Sequence, residues 1–410
     1  MSFDETMNNQ SNRRDFLKKA AVMGLGAAVG STAFNAPGHA SAPTAFPSAP
    51  MPRRVFGRSG IKVSTLSMGG MYDILNNRLM LAKALEWGID YWDTAEMYGG
   101  GRSEEGIGRW FARKPETRSR VFLVSKLSPR RGTDFTPRLE TCLKRLNTDY
   151  LDLFFVHGIS SIDEMTPELK SWSQEMKKAG KLRLFGFSTH SNMEDCLEGA
   201  ARMPWIDGIM FTYNYRLMNE PRMKGAVEAC YRAGIGLTAM KTQGGGSVKS
   251  DSQAEINMAG RFMQKGFTDY QAKLMAVWED KRIASICSQM PNLTIMAANA
   301  VAAVDQKGLS ASDRALLNRY AGNTCSDYCA GCGRICTQAM VQEVPINDVM
   351  RCLMYAQSYQ DFTLAQNTFK TLPPQTGALL GQMNFREAER SCPRNLRIGR
   401  MMKEASNLFA

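Results

Sequence analysis

From residue 53 onward, short apolar runs alternate with stretches whose apolar residues recur every three or four positions. The runs Val63–Met68, Ile89–Thr94, Val121–Ser125, Leu151–Val156, Leu182–Phe187, Gly208–Thr212, Ile235–Met240 and Ile283–Cys287 predict strands. Between them Asn76–Trp87, Ser103–Ala112, Pro137–Leu146 and Pro167–Lys178 carry the helical period. Strands that read as nearly unbroken apolar runs are buried on both faces, as in parallel sheets covered by helices. Eight strand–helix units in about 250 residues predict an α/β fold, a (β/α)8 TIM barrel. An open dinucleotide-binding sheet would want Gly-x-Gly-x-x-Gly after its first strand, and Gly69-Gly70-Met71-Tyr72 does not supply it. Gly244-Gly245-Gly246 opens a polar segment running to Ser252 after the seventh strand, a loop placed either to cover the barrel mouth or to lie inert on the surface.

The first residues follow a different logic. Arg13-Arg14-Asp15-Phe16-Leu17-Lys18 is a twin-arginine signature, followed by a moderately apolar stretch from Ala20 to Phe34 and then by small residues. That order predicts a removable signal over 1–42, twin-arginine export machinery as a partner and a bacterial periplasmic address. Prolines stiffen a linker over 43–52. Lysine and arginine exceed the acids for a net charge of +12, which favours anionic ligands. No basic stripe interleaved with aromatics accompanies it, so nucleic acid is not expected as a partner.

Catalytic groups of barrels sit at the C-terminal ends of strands. Asp93 ends the second expected strand with Tyr98 in the loop beyond; Lys126 ends the third and His157 the fourth. Each alone has an ordinary reading: a cap, a solvated strand end, a core histidine. Together they fit carbonyl reduction. A tyrosine hydroxyl can protonate the developing alkoxide, but its ordinary pKa of about 10 makes it a reluctant acid. A neighbouring ammonium stabilises the tyrosinate, so Lys126 would tune Tyr98. Asp93 would hold that ammonium, and His157 would orient the substrate oxygen.

With those residues in place, 53–305 resembles the aldo/keto reductase family. The resemblance is carried by Arg53-Arg-Val-Phe-Gly-Arg-Ser-Gly-Ile-Lys-Val-Ser64, Asp93-Thr-Ala-x-x-Tyr98, Leu143-Lys-Arg-Leu-Asn-Thr-Asp-Tyr-Leu-Asp152 and Gly180-Lys-Leu-Arg-Leu-Phe-Gly-Phe-Ser188. It implies Asp93, Tyr98, Lys126 and His157 as the catalytic tetrad with Tyr98 the acid. It also implies Ser188, Tyr213 and Asn214 near a nicotinamide, and Asn299 near its adenine. One departure stands out. Where the family often grips the 2′-phosphate of NADP, no basic residue occurs from Ile283 to Gln306, and Ala298 replaces a common glutamate. The cofactor is therefore left open between NADP(H) and NAD(H).

Six of the ten cysteines follow residue 324. Cys325-x3-Cys329-x2-Cys332-x3-Cys336 resembles half of a two-cluster ferredoxin motif, and Cys392-Pro393 the close of the other half. That resemblance implies one [4Fe–4S] cluster on Cys325, Cys329, Cys332 and Cys392, with a local set using Cys336 as its rival. Disulfides and a four-cysteine zinc site remain the alternatives. Cys142, Cys196, Cys230, Cys287 and Cys352 are expected as buried apolar residues. Pro345–Tyr355 predicts a helix, so 306–410 is expected as a small helical, ferredoxin-like domain. Two functions follow. One is hydride transfer between a nicotinamide and a carbonyl or alcohol, a sugar being one such substrate. The other is a catalytically altered barrel serving iron–sulfur electron transfer or partner binding.

Overall fold

The computed structural model describes residues 49–129, 132, 134–246, 253–305 and 308–410. The expected signal, most of the linker and most of the polar segment after Gly244 lie outside the described residues. Among the described residues there are ten strands: β1 (Arg53–Val55), β2 (Lys62–Ser64), β3 (Leu66–Gly69), β4 (Tyr91–Asp93), β5 (Phe122–Leu127), β6 (Leu151–Ile159), β7 (Leu182–Thr189), β8 (Gly208–Thr212), β9 (Gly236–Met240) and β10 (Ile283–Gln289). β3 to β10 pair in sequence order, all parallel, and β10 closes on β3 through Ile286↔Leu66 and Gln289↔Gly69. This is the expected (β/α)8 barrel.

The run expected as one strand over Val63–Met68 divides at Thr65. Ser64 pairs antiparallel with Arg53 in a hairpin, while Ser67 pairs in parallel with Tyr91 inside the barrel. Apolar content cannot separate those partners. Phe56, between β1 and β2, is fully buried and packs against Tyr91 and Phe122. Close approach explains two glycines of the wall: a Cβ on Gly186 would lie 1.8 Å from the Gly208 carbonyl oxygen, and one on Gly208 would lie 2.9 Å from the Phe56 ring.

Helix starts are locally encoded. Thr166 caps Pro167–Lys178 with proline at the first turn. Ser310 and Thr268 form capping boxes for Ala311–Asn323 and Asp269–Trp278. Helix Ala311–Asn323, expected in the C-terminal domain, joins the barrel's apolar core through Leu317 and Tyr320, as does Tyr328 beyond it. A second apolar core starts at Cys336 and unites Ile346–Gln357 with Ile398–Phe409 through Val349, Met350, Leu353, Met401 and Met402. Among the described residues no helix is long and apolar enough to cross a membrane.

Candidate active site

The strand ends converge as the spacing implied. Asp93 closes β4, Lys126 lies one residue inside the end of β5, and His157 stands near the end of β6. Tyr98 opens a short turn in which Gly99, Gly100 and Gly101 all take positive φ (59°, 66° and 96°). A side chain at Gly101 would meet the Arg145 guanidinium at 2.6 Å, so this reversal, which returns the phenol to the barrel mouth, needs glycine.

The Lys126 ammonium donates to Asp93 Oδ2 at 2.6 Å and to the Thr94 carbonyl at 2.8 Å, and stands 3.3 Å from Tyr98 Oη. Both ionic side chains are almost wholly buried (1% and 2% exposed), so their attraction is little screened. The Tyr98 ring meets His157 edge-on with centroids 5.8 Å apart. Burial, reinforced by the Asp93 carboxylate, pushes the Tyr98 hydroxyl well above the ordinary phenol value. This differs from the lowering expected from Lys126, because burial is the dominant influence on the hydroxyl. Tyr98 is therefore protonated at neutral pH, the form a proton donor needs. Burial likewise raises Asp93, and Lys126 pulls it back down.

The four residues line a cleft of about 910 Å³. Of the expected cofactor contacts, Ser188 lines it, and its hydroxyl accepts from the Gly158 amide at 3.0 Å. Tyr213 and Asn214 do not. The Tyr213 hydroxyl donates to Asp280 at 2.7 Å, and the Asn214 amide ties the Lys241 carbonyl to the Tyr328 hydroxyl. Asn299 is buried behind the cleft, donating to Ser288 at 3.1 Å. Cys287, expected to be plain core, is half-buried in the cleft; burial and Asp93 push its thiol up. His190 and Lys241, just past β7 and β9, and Tyr355 and Tyr359 of the C-terminal region also line it. The first two carried the strand-end signal; nothing local marked the tyrosines.

Cys329, Cys332, Cys336 and Cys392 line a separate cavity of about 350 Å³ with Met350 and Arg394. Cys325 is absent from that lining and lies in a turn, Cys325–Asp327. The exchange has a helical cause. Cys332 caps Gly333–Gln338, so Cys336 returns one turn later to the same side. All four thiols are unpaired by disulfides. Among the described residues no three His, Cys, Asp or Glu side chains are grouped to hold a single metal ion.

Residues 73–300 match the sequence profile of the Aldo/keto reductase family. The Schizosaccharomyces pombe protein named aldo-keto reductase yakc (NADP+) is 30% identical over 186 residues, 42% of this chain and 53% of its own length. The chain spans between about half and two thirds of the length of the first curated relatives it matches. An aldo-keto reductase from Bacillus halodurans, in its holo form, superposes with a TM-score of 0.53 at 22% identity, covering 66% of this chain and 96% of that one. A thermostable aldo-keto reductase bound to the inhibitor epalrestat gives the same score at 26% identity, covering 66% and 99%.

Proposed function

The chain belongs to the aldo/keto reductase family, and from that premise and the tetrad we propose that it transfers hydride between a nicotinamide cofactor and a small carbonyl or alcohol substrate, sugars included. The observation that carries this reading is one buried ammonium, Lys126, shared by Asp93 and Tyr98 at the mouth of the barrel. When bound, reduced nicotinamide supplies the hydride to the carbonyl carbon. Tyr98 gives its proton to the carbonyl oxygen while His157 orients that oxygen. Lys126 favours the tyrosinate left behind, and Asp93 keeps the ammonium in place. Ser188 is the expected cofactor contact that faces the cleft. The absence of a basic residue between Ile283 and Gln306 argues against a strong preference for the 2′-phosphate. An assembled tetrad favours an enzyme over a barrel kept as a scaffold.

The domain reading goes with this: a twin-arginine signal over 1–42, a linker over 43–52, the barrel over 53–305 and an iron–sulfur domain over 306–410, with a periplasmic address. Four thiols around one cavity support a [4Fe–4S] cluster, held by Cys329, Cys332, Cys336 and Cys392 in place of the set with Cys325. When bound it supplies either a structural cross-link or a one-electron relay toward an electron-transfer partner.

The first test is an anaerobic titration with NADPH and NADH, followed by tryptophan fluorescence, together with Tyr98→Phe. Binding of either nucleotide, and loss of carbonyl reduction by about 10²–10⁴-fold in a folded Tyr98→Phe variant, is expected. No binding to a folded, cluster-loaded protein refutes the reductase reading.

A further inference from the structure

Between the cleft and the cysteine cavity lies a third space of about 470 Å³. His190 and Lys241 line both it and the tetrad's cleft, and helix Ile346–Gln357 brings Arg351 to it. Lys241 directly follows β9 with φ of +54°, the left-handed region that side chains with a Cβ rarely adopt. Strain of this kind persists where the surroundings impose it, and it gathers at sites of function. Here the Lys241 carbonyl accepts from Asn214 at 3.2 Å, while its ammonium donates to the Tyr355 hydroxyl at 2.9 Å. The ammonium also lies 4.3 Å and 5.4 Å from the ring centroids of Tyr355 and Tyr359.

Among the described residues no carboxylate forms an ion pair with Lys241, whereas neighbouring Arg351 has Asp348 at 2.8 Å. Cations that leave bulk water are ordinarily paired. Burial, with Arg351 close by, pushes the Lys241 pKa down, and burial with Lys241 and Arg351 holds His190 far below its usual value. Of the four thiols, Cys329 alone lines this space with Lys241 and Arg351; Cys332, Cys336 and Cys392 stand with Arg394 in the cavity beyond.

We propose that Lys241 and the Tyr355 hydroxyl, backed by Arg351, form an oxyanion subsite beside the tetrad that takes the carboxylate or phosphate group of the carbonyl substrate. The substrate class is then an acidic sugar or an oxo acid, an assignment that rests on the hydride-transfer reading above. Tyr355 comes from the C-terminal region, so that region completes the substrate site. A dinucleotide pyrophosphate carries the same chemistry, and the experiment separates the two.

The experiment compares 4-carboxybenzaldehyde with its neutral amide in kcat/KM, and the corresponding alcohols in Kd by calorimetry. It uses the native protein, Lys241→Gln, Lys241→Arg and Tyr355→Phe, each checked for folding by circular dichroism. The native protein is expected to favour the acid in both readouts. Lys241→Gln should lower that preference about tenfold or more, the worth of one charge-assisted hydrogen bond, and Lys241→Arg should keep most of it. Tyr355→Phe should lower it by less. A native preference for the amide overturns the subsite, as does a preference untouched in Lys241→Gln. So does loss of NADPH or NADH affinity in Lys241→Gln with the acid preference intact, which would assign the cation to the pyrophosphate. If neither aldehyde turns over but the acid alcohol still binds preferentially, the subsite stands and the reductase reading falls.

Discussion

Replacing Lys126 with methionine strands three acceptors at once: Asp93 Oδ2, the Thr94 carbonyl and the Tyr98 oxygen. Removing one partner from a buried ion pair costs about 3–5 kcal/mol, because the other charge stays desolvated and unanswered. Against a domain stability of about 5–15 kcal/mol, that loss is readily measured. Burial already raises Asp93, and Lys126 is the cation that lowers it. Without Lys126 the folded carboxyl titrates higher still, while the unfolded one stays near about 3.9. The folded state then binds the proton more tightly, so stability falls as pH rises. The fall begins near the unfolded value, proceeds at up to about 1.4 kcal/mol per pH unit, and levels off above the raised folded value. Urea unfolding from about pH 5 to 8, read by tryptophan fluorescence, should show this for Lys126→Met. Adding Asp93→Asn should recover much of the loss at neutral pH and flatten the profile. A Lys126→Met variant that loses less than about 1 kcal/mol, with native pH dependence, refutes the claim that the pair is desolvated and mutually dependent.

Gly186→Ala should destabilise the barrel by more than the roughly 1–3 kcal/mol usual for overpacking, since its Cβ meets the Gly208 backbone; Gly225→Ala, on an open helix face, should gain up to about 1 kcal/mol. Thermal melts of the two variants decide it. Cys336→Ala should abolish the iron–sulfur absorbance of anaerobically purified protein and Cys325→Ala should retain it; the reverse result restores the set inferred from spacing. Replacing Arg13 and Arg14 with lysine should hold the full-length chain in the cytoplasm, as cell fractionation will show, and unaltered export refutes the twin-arginine assignment.

Hydrophobic period and strand-end placement are local properties, and they were enough to identify the barrel and to draw Asp93, Tyr98, Lys126 and His157 to one cleft. Each expected strand of the barrel wall appears, because an apolar run buried on both faces fits few other environments. Their ends carry chemistry because parallel strands of a closed barrel all finish on one face. Local pattern does not state which way a side chain turns after its strand ends, or what a distant segment lays over it. Tyr213 and Asn214 follow β8 at the expected height, yet they turn to Asp280 and Tyr328 and leave the cleft. Cys336, and not Cys325, lines one cavity with Cys329, Cys332 and Cys392, because Gly333–Gln338 is helical whereas Cys325 opens a separate turn. Tyr355 reaches Lys241 across 114 positions of sequence. Contacts so far apart exist only once both segments have folded and docked, so only the tertiary structure could decide that the C-terminal region shapes the site.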